Sequence, residues 1–125
     1  MPEFMLLIKN LADHQASWPP ERHLTFVKQC ELYIGELERD GKLIAAQPLI
    51  KEGWTISGTP GAWDGAPLDL HGLIQVGYYH IVASSTDEAV AIAKRNPEFE
   101  FSSTAQVEVR MVKGRESETG FVYPR

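Results

Sequence analysis

Phe4 to Lys9 opens the chain with a short apolar run, rich enough for a buried strand. Leu11 to Trp18 has no such pattern and reads as a loop. Pro19-Pro20-Glu21 then starts a helix, because proline suits a first turn whose N–H groups are unpaired anyway and an acid there favours the helix dipole. His23, Val27, Cys30, Ile34 and Leu37 recur at steps of three and four, flanked by Phe26 and Tyr33, so this stripe is the face predicted to lie on a sheet. Asp40-Gly41 ends the helix, glycine being the residue that tolerates a left-handed position there.

Lys42 to Ile50 reads as a second strand, broken or confined to a sheet edge by Pro48. Glycine and proline punctuate Gly53 to Gly72, as in a loop or loose hairpin, with Trp54-Thr55-Ile56 a short strand inside it. Leu73 to Ala83 is the longest strand candidate. Ser85-x-x-Glu88 is a capping box that starts a second helix through Ala93, and Asn96-Pro97 stops it. Thr104 to Val112 alternates, with Ala105, Val107, Val109 and Met111 on one face and Gln106, Glu108 and Arg110 on the other.

The predicted order is therefore β-α-β, a hairpin or loop, then β-α-β. Such a chain makes an antiparallel sheet with both helices on one face, an α+β fold of ferredoxin-like type spanning residues 4–112. Residues 113–125 form a polar tail, loose until Phe121 and Tyr123. The sheet face without helices needs a cover. A second copy supplies one, so the expectation is a homodimer, a dimeric α+β barrel whose sheets close around an interior space.

Charge narrows the partners. A net charge of −5 argues against binding a nucleic acid, whose phosphates want a basic face. No stretch approaches the roughly eighteen apolar residues a membrane span needs, so no membrane partner is expected. Met1 to Ile8 lacks the basic leader and cleavage site of a signal peptide, and the single cysteine, Cys30, permits no internal bridge. The expected location is cytoplasmic.

Four segments carry a resemblance to a known family. Phe4-Met5-Leu6-Leu7-Ile8, the helix ending Leu37-x-x-x-Gly41-x-Leu43, Asp64-Gly65-Ala66-Pro67 and Gly77-Tyr78-Tyr79 look like the YCII-related proteins, and more closely the branch named for an Asp-Gly-Pro-Phe motif. Here Ala66 intrudes between glycine and proline, and Leu68 follows in place of phenylalanine. The resemblance implies a dimeric α+β barrel with a pocket between helix and sheet. It also implies an absence. Many such proteins are thought to pair a histidine on the first helix with an aspartate in an Asp-Pro-aromatic turn after the second. Those places look like Cys30 and Asn96 here, which cannot act as that proton-transfer pair.

Among single residues, Cys30 reads as a small packing residue, since a nucleophilic thiol needs a partner that lowers its pKa and His23 lies too far along the helix. The four histidines, His14, His23, His71 and His80, show no metal-ligand spacing, so no metal and no cofactor are expected. His80 is placed on one strand face with Ile74, Val76, Tyr78 and Val82, as a core or interface residue or else a pocket acid/base group. His14 and Asp64 are the other weak catalytic candidates, although Asp64-Gly65 is most simply a turn. Glu108 and Arg110 either pair across the dimer interior or face water. The candidate pocket comprises Cys30, Tyr33, Asn96, Tyr78, Tyr79, Trp63, Arg110 and Glu108.

The leading expectation is binding of a small, partly aromatic molecule, with no assignable activity. The alternatives are a cofactor-independent enzyme of lyase or oxygenase type, and a protein-interaction or regulatory module. Whether the chain is an enzyme is open at this level.

Overall fold

A computed structural model describes every residue from Met1 to Arg125. The elements are β1 (Glu3–Leu11), α1 (Pro20–Arg39), β2 (Leu43–Pro48), β3 (Trp54–Thr59), β4 (Ala62–Pro67), β5 (Leu73–Val82), α2 (Thr86–Lys94), α3 (Glu98–Phe101) and β6 (Gln106–Met111). The fold is α+β. Four strands form an antiparallel sheet in the order β2-β5-β1-β6, while β3 and β4 pair only with each other.

Strict alternation along β1 builds the core. Phe4, Leu6, Ile8 and Asn10 are buried and the residues between them are half-exposed. Phe4, Leu6 and Ile8 meet Tyr79 and Ile81 of β5, Tyr33 and Leu37 of α1, and Ala89, Ile92 and Ala93 of α2 in one cluster. Tyr33 ties the two long helices together, its hydroxyl donating to the Ile92 carbonyl at 2.7 Å. Gly41 ends α1 at φ 68°, as its place after Asp40 predicts. No helix is long and apolar enough to cross a membrane.

Several details differ from the pattern reading. The buried stripe of α1 is Phe26, Tyr33 and Leu37; His23 and Val27 are exposed and Cys30 and Ile34 are half-buried, because that side of the helix overhangs an open cleft. His80 does not share a face with Ile74. A register shift opposite Ile8 and Lys9 inserts Val76 as an extra residue and reverses the alternation, so Ile74 is buried while His80 lies on the helix-free face. The capping box is half reciprocal: Ser85 Oγ accepts from Glu88 N, but the Glu88 carboxylate takes Ser84 N and Oγ and the Lys42 ammonium. Asn96-Pro97 stops α2 but at once starts the short α3, which the pattern reading lacks. Met111 is exposed, unlike its neighbours Val107 and Val109.

The tail is not loose. Arg115 bridges Val122, Tyr123 and Lys113 both bond Glu116, and the Arg125 guanidinium returns to Glu3 at 2.8–2.9 Å.

Candidate functional site

A cleft of about 350 Å³ opens between α1 and the sheet edge formed by β2 and β5. Its walls are largely apolar: Val27, Cys30 and Ile34 from the helix, and Ile8, Ala46, Val76 and Tyr79 from the strands. The sheet side can approach closely because position 77 is glycine. A Cβ there would come within 3.1 Å of the Gln47 carbonyl oxygen, pushing β2 outward and spreading the cleft. A cavity of this size and lining suits a small molecule.

The polar groups of the cleft gather at one end. His14, in the loop after β1, has its ring Nδ1 2.8 Å from the Leu11 carbonyl, which can only accept, so Nδ1 carries a proton. Its Nε2 lies 2.9 Å from Glu98 Oε1. That approach is too poorly aligned to count as a hydrogen bond, and Nε2 is buried with no other partner. A bare imidazole nitrogen facing a carboxylate oxygen would set lone pair against lone pair. The two atoms are close enough to form an ion pair.

The surroundings hold this geometry. Asn10 is fully buried; its Nδ2 donates to Glu98 Oε1 at 2.9 Å and to Ser102 Oγ at 3.1 Å, and its Oδ1 accepts from Thr104 Oγ1 at 2.6 Å. Asn96 Oδ1 accepts from Glu98 N at 2.9 Å, which starts α3 and aims Glu98 inward. Trp18, Phe26 and Phe101 pack ring against ring, and the Arg22 guanidinium lies 5.0 Å from the Trp18 and Phe101 rings while donating to the Phe101 carbonyl. This cluster fixes the His14 loop against α1 and α3. Glu98 Oε2 has no protein partner and is not sealed off, which leaves one carboxylate oxygen for the cleft.

Burial shifts the neutral acids beside the cleft. Burial, helped by the negative charge of Glu98, pushes the Cys30 thiol up to about 11. Tyr33 and Tyr79 are raised well above the ordinary phenol range, again chiefly by burial. Cys30 is thus a packing thiol with almost no thiolate at neutral pH.

Of the residues singled out from the sequence, Cys30, Asn96, Tyr78, Tyr79 and His14 line the cleft together. Tyr33 packs edge-on against Tyr79 behind its wall, centroids 5.3 Å apart. Glu108, Arg110 and His80 lie on the opposite face, where Glu108 pairs with Lys9 and His80 with Glu3. Trp63 and Asp64 sit on the exposed β3–β4 hairpin, away from the cleft, and Asp64-Gly65 is not a turn but lies within β4 opposite Ser57 and Ile56, the positive φ falling at Gly61 instead. His71 is exposed and bonds Asp69. No cluster of three or more histidines, cysteines and acids suited to a metal occurs.

Sequence reading missed Glu98 and Asn10. Asn10 left a signal: it occupies the fourth inward position of β1, where three apolar residues precede it. A polar residue at such a position requires partners, and the partner here is a carboxylate. Compared with known proteins, the sequence matches no family model and no curated protein.

Proposed function

We propose that this chain is a YCII-related protein that binds a small, partly aromatic molecule in the cleft between α1 and the β2–β5 edge. The observation that carries the reading is the cleft itself: about 350 Å³, apolar along its length, with one carboxylate oxygen free at its end. The strand order β2-β5-β1-β6 supports the ferredoxin-like form of that family. Half-exposed Met5, Leu7 and Val82 on the helix-free face support a homodimer that packs sheet on sheet. The test is a thermal-shift screen of aromatics, quinones and small acids. A true ligand at a hundred times its Kd adds about 2.7 kcal/mol. Val27→Trp, which fills the mouth, should abolish the shift; a shift that survives it, or silence across the whole screen, would overturn the reading.

The His14–Glu98 pair favours a second reading, a cofactor-independent enzyme. Glu98 Oε2 would take a proton from a hydroxyl or an acidic C–H of the bound molecule and return it. His14 and Asn10 hold the other oxygen, so the carboxylate keeps its orientation. Deuterium exchange from solvent into a compound that the screen identifies reports this step. Glu98→Gln should slow exchange by about 100-fold more than it weakens binding. Equal exchange in the variant would remove the enzyme reading and leave the binding one intact.

A further inference from the structure

The β3–β4 hairpin is the part of the molecule that its own body leaves bare. Every residue from Gln47 to Asp69 is exposed, and neither strand pairs with the main sheet. The register sorts its side chains. Trp54 faces Pro67, Ile56 faces Gly65 and Gly58 faces Trp63, so Trp54, Ile56, Trp63 and Pro67 share one side. Thr55, Ser57, Thr59 and Asp64 share the other. The arm is therefore amphipathic, yet its apolar side meets nothing: Trp54, Ile56 and Trp63 are 68%, 65% and 64% exposed.

A two-stranded hairpin on its own is at best marginally stable in water, so an arm with one greasy side needs a surface to lie on. We infer that this surface belongs to a second copy of the chain, and that two copies exchange arms across a two-fold axis. The inference shares the dimer of the functional reading but stands apart from its ligand.

Three observations select a second copy over an unrelated partner. The chain leaves uncovered the apolar side of the arm and a mixed helix-free sheet face on which Met5, Leu7 and Val82 are half-exposed among charges, and the arm lies on neither that face nor the cleft of its own body. A two-fold pairing covers both at once, sheet against sheet in the middle and arm against flank at the edges, because each contact occurs twice. The charges also suit a like partner. The whole chain is at −5, and two such chains repel, but the outer face balances Glu3 and Glu108 against Lys9 and Arg110. Arg110 forms no ion pair within its own chain and is free to meet an acid of the partner. Finally, the arm springs from β2, an edge strand of the sheet, so its reach lies beyond the sheet's own border.

Light scattering and sedimentation of the full chain, set beside Trp54→Thr/Ile56→Thr/Trp63→Thr, test the inference. Threonine keeps strand propensity, and none of the three positions touches the core. The wild type should be a dimer whose tryptophan emission is shielded from iodide. The triple variant should keep its circular dichroism and melting behaviour as a monomer yet dimerise at least about 100-fold more weakly, as loss of aromatic anchors does elsewhere. Trp63→Thr alone should fall between the two. A dimer of unchanged strength in the triple variant overturns arm exchange and leaves a sheet-on-sheet dimer standing. A wild type that stays monomeric at all concentrations overturns both, whatever the ligand screen returns.

Discussion

The sheet carries a histidine–glutamate pair on each of its faces, and the two behave differently for a reason that can be named. On the helix side, His14 and Glu98 sit 2.9 Å apart with side chains only 11% and 8% exposed. On the open side, His80 Nε2 and Glu3 Oε1 sit 2.8 Å apart, and Arg125 holds the other Glu3 oxygen. A guanidinium is permanently charged, so Glu3 has its neutralising cation whatever the ring does. Glu98 has no cation but the imidazole. His14 is therefore the one basic side chain paired with Glu98 at the end of an apolar cleft. The outer pair is a surface clasp shared with a guanidinium; the inner pair is a buried contact without one.

The strongest way to break this contrast is to remove the support of the inner pair. Asn10→Leu deletes a donor to Glu98 and leaves a buried carboxylate and two hydroxyls short of partners. Breaking a buried charged network of this kind destabilises by about 3 kcal/mol. Urea unfolding should show that loss. If Asn10→Leu proves no worse than Arg125→Ala, the two faces are equivalent and the distinction fails.

A somewhat smaller effect reports the dryness of the cleft. The Cys30 thiol is pushed up to about 11 from an ordinary 9.0, so its thiolate fraction near neutral pH is about 100-fold below that of a free thiol. Iodoacetamide labelling of the native protein should be slower by about that factor, and Glu98→Gln, which removes a negative charge, should speed it. Labelling at the rate of a free thiol would mean that water fills the cleft.

The contrast also explains what could be read from the sequence. The four strands of the main sheet, the two longer helices and the edge position of β2 followed from period and punctuation, because Pro48, Gly41 and the alternation of β6 act locally, whereas β4 and α3 did not. The facing of β5 did not, since the extra residue at Val76 reverses the alternation and leaves no mark in composition. Cys30 and Asn96 do line one cleft. The partner of His14 was illegible because Glu98 is eighty-four positions away along the chain, and only the fold of α3 against β1 brings it near. The tail looked loose because its composition is polar; local ties through Glu116 order it, and Arg125 joins it to Glu3 at the other end of the chain.

The outer pair gives the smallest and most discriminating effect. Arg125, by hydrogen bond and charge, holds the Glu3 carboxyl below its ordinary 4.5, and His80 adds to this while partial burial opposes it. A carboxyl whose pKa is depressed by folding stabilises the folded state above the unfolded value, and that contribution fades as pH falls through the folded one. Stability from this clasp is thus fully present at neutral pH and declines below about 4.5. Arg125 is itself largely exposed, so screening by water and salt limits the whole contribution to a few tenths of a kcal/mol. Arg125→Ala should lower neutral stability by that little, flatten the acid limb of the stability profile below pH 4.5, and leave Cys30 labelling unchanged. In high salt, wild type and variant should converge. A loss that rivals Asn10→Leu, or one that salt does not touch, would make the outer pair as buried in effect as the inner one, and the contrast between the two faces would have no basis.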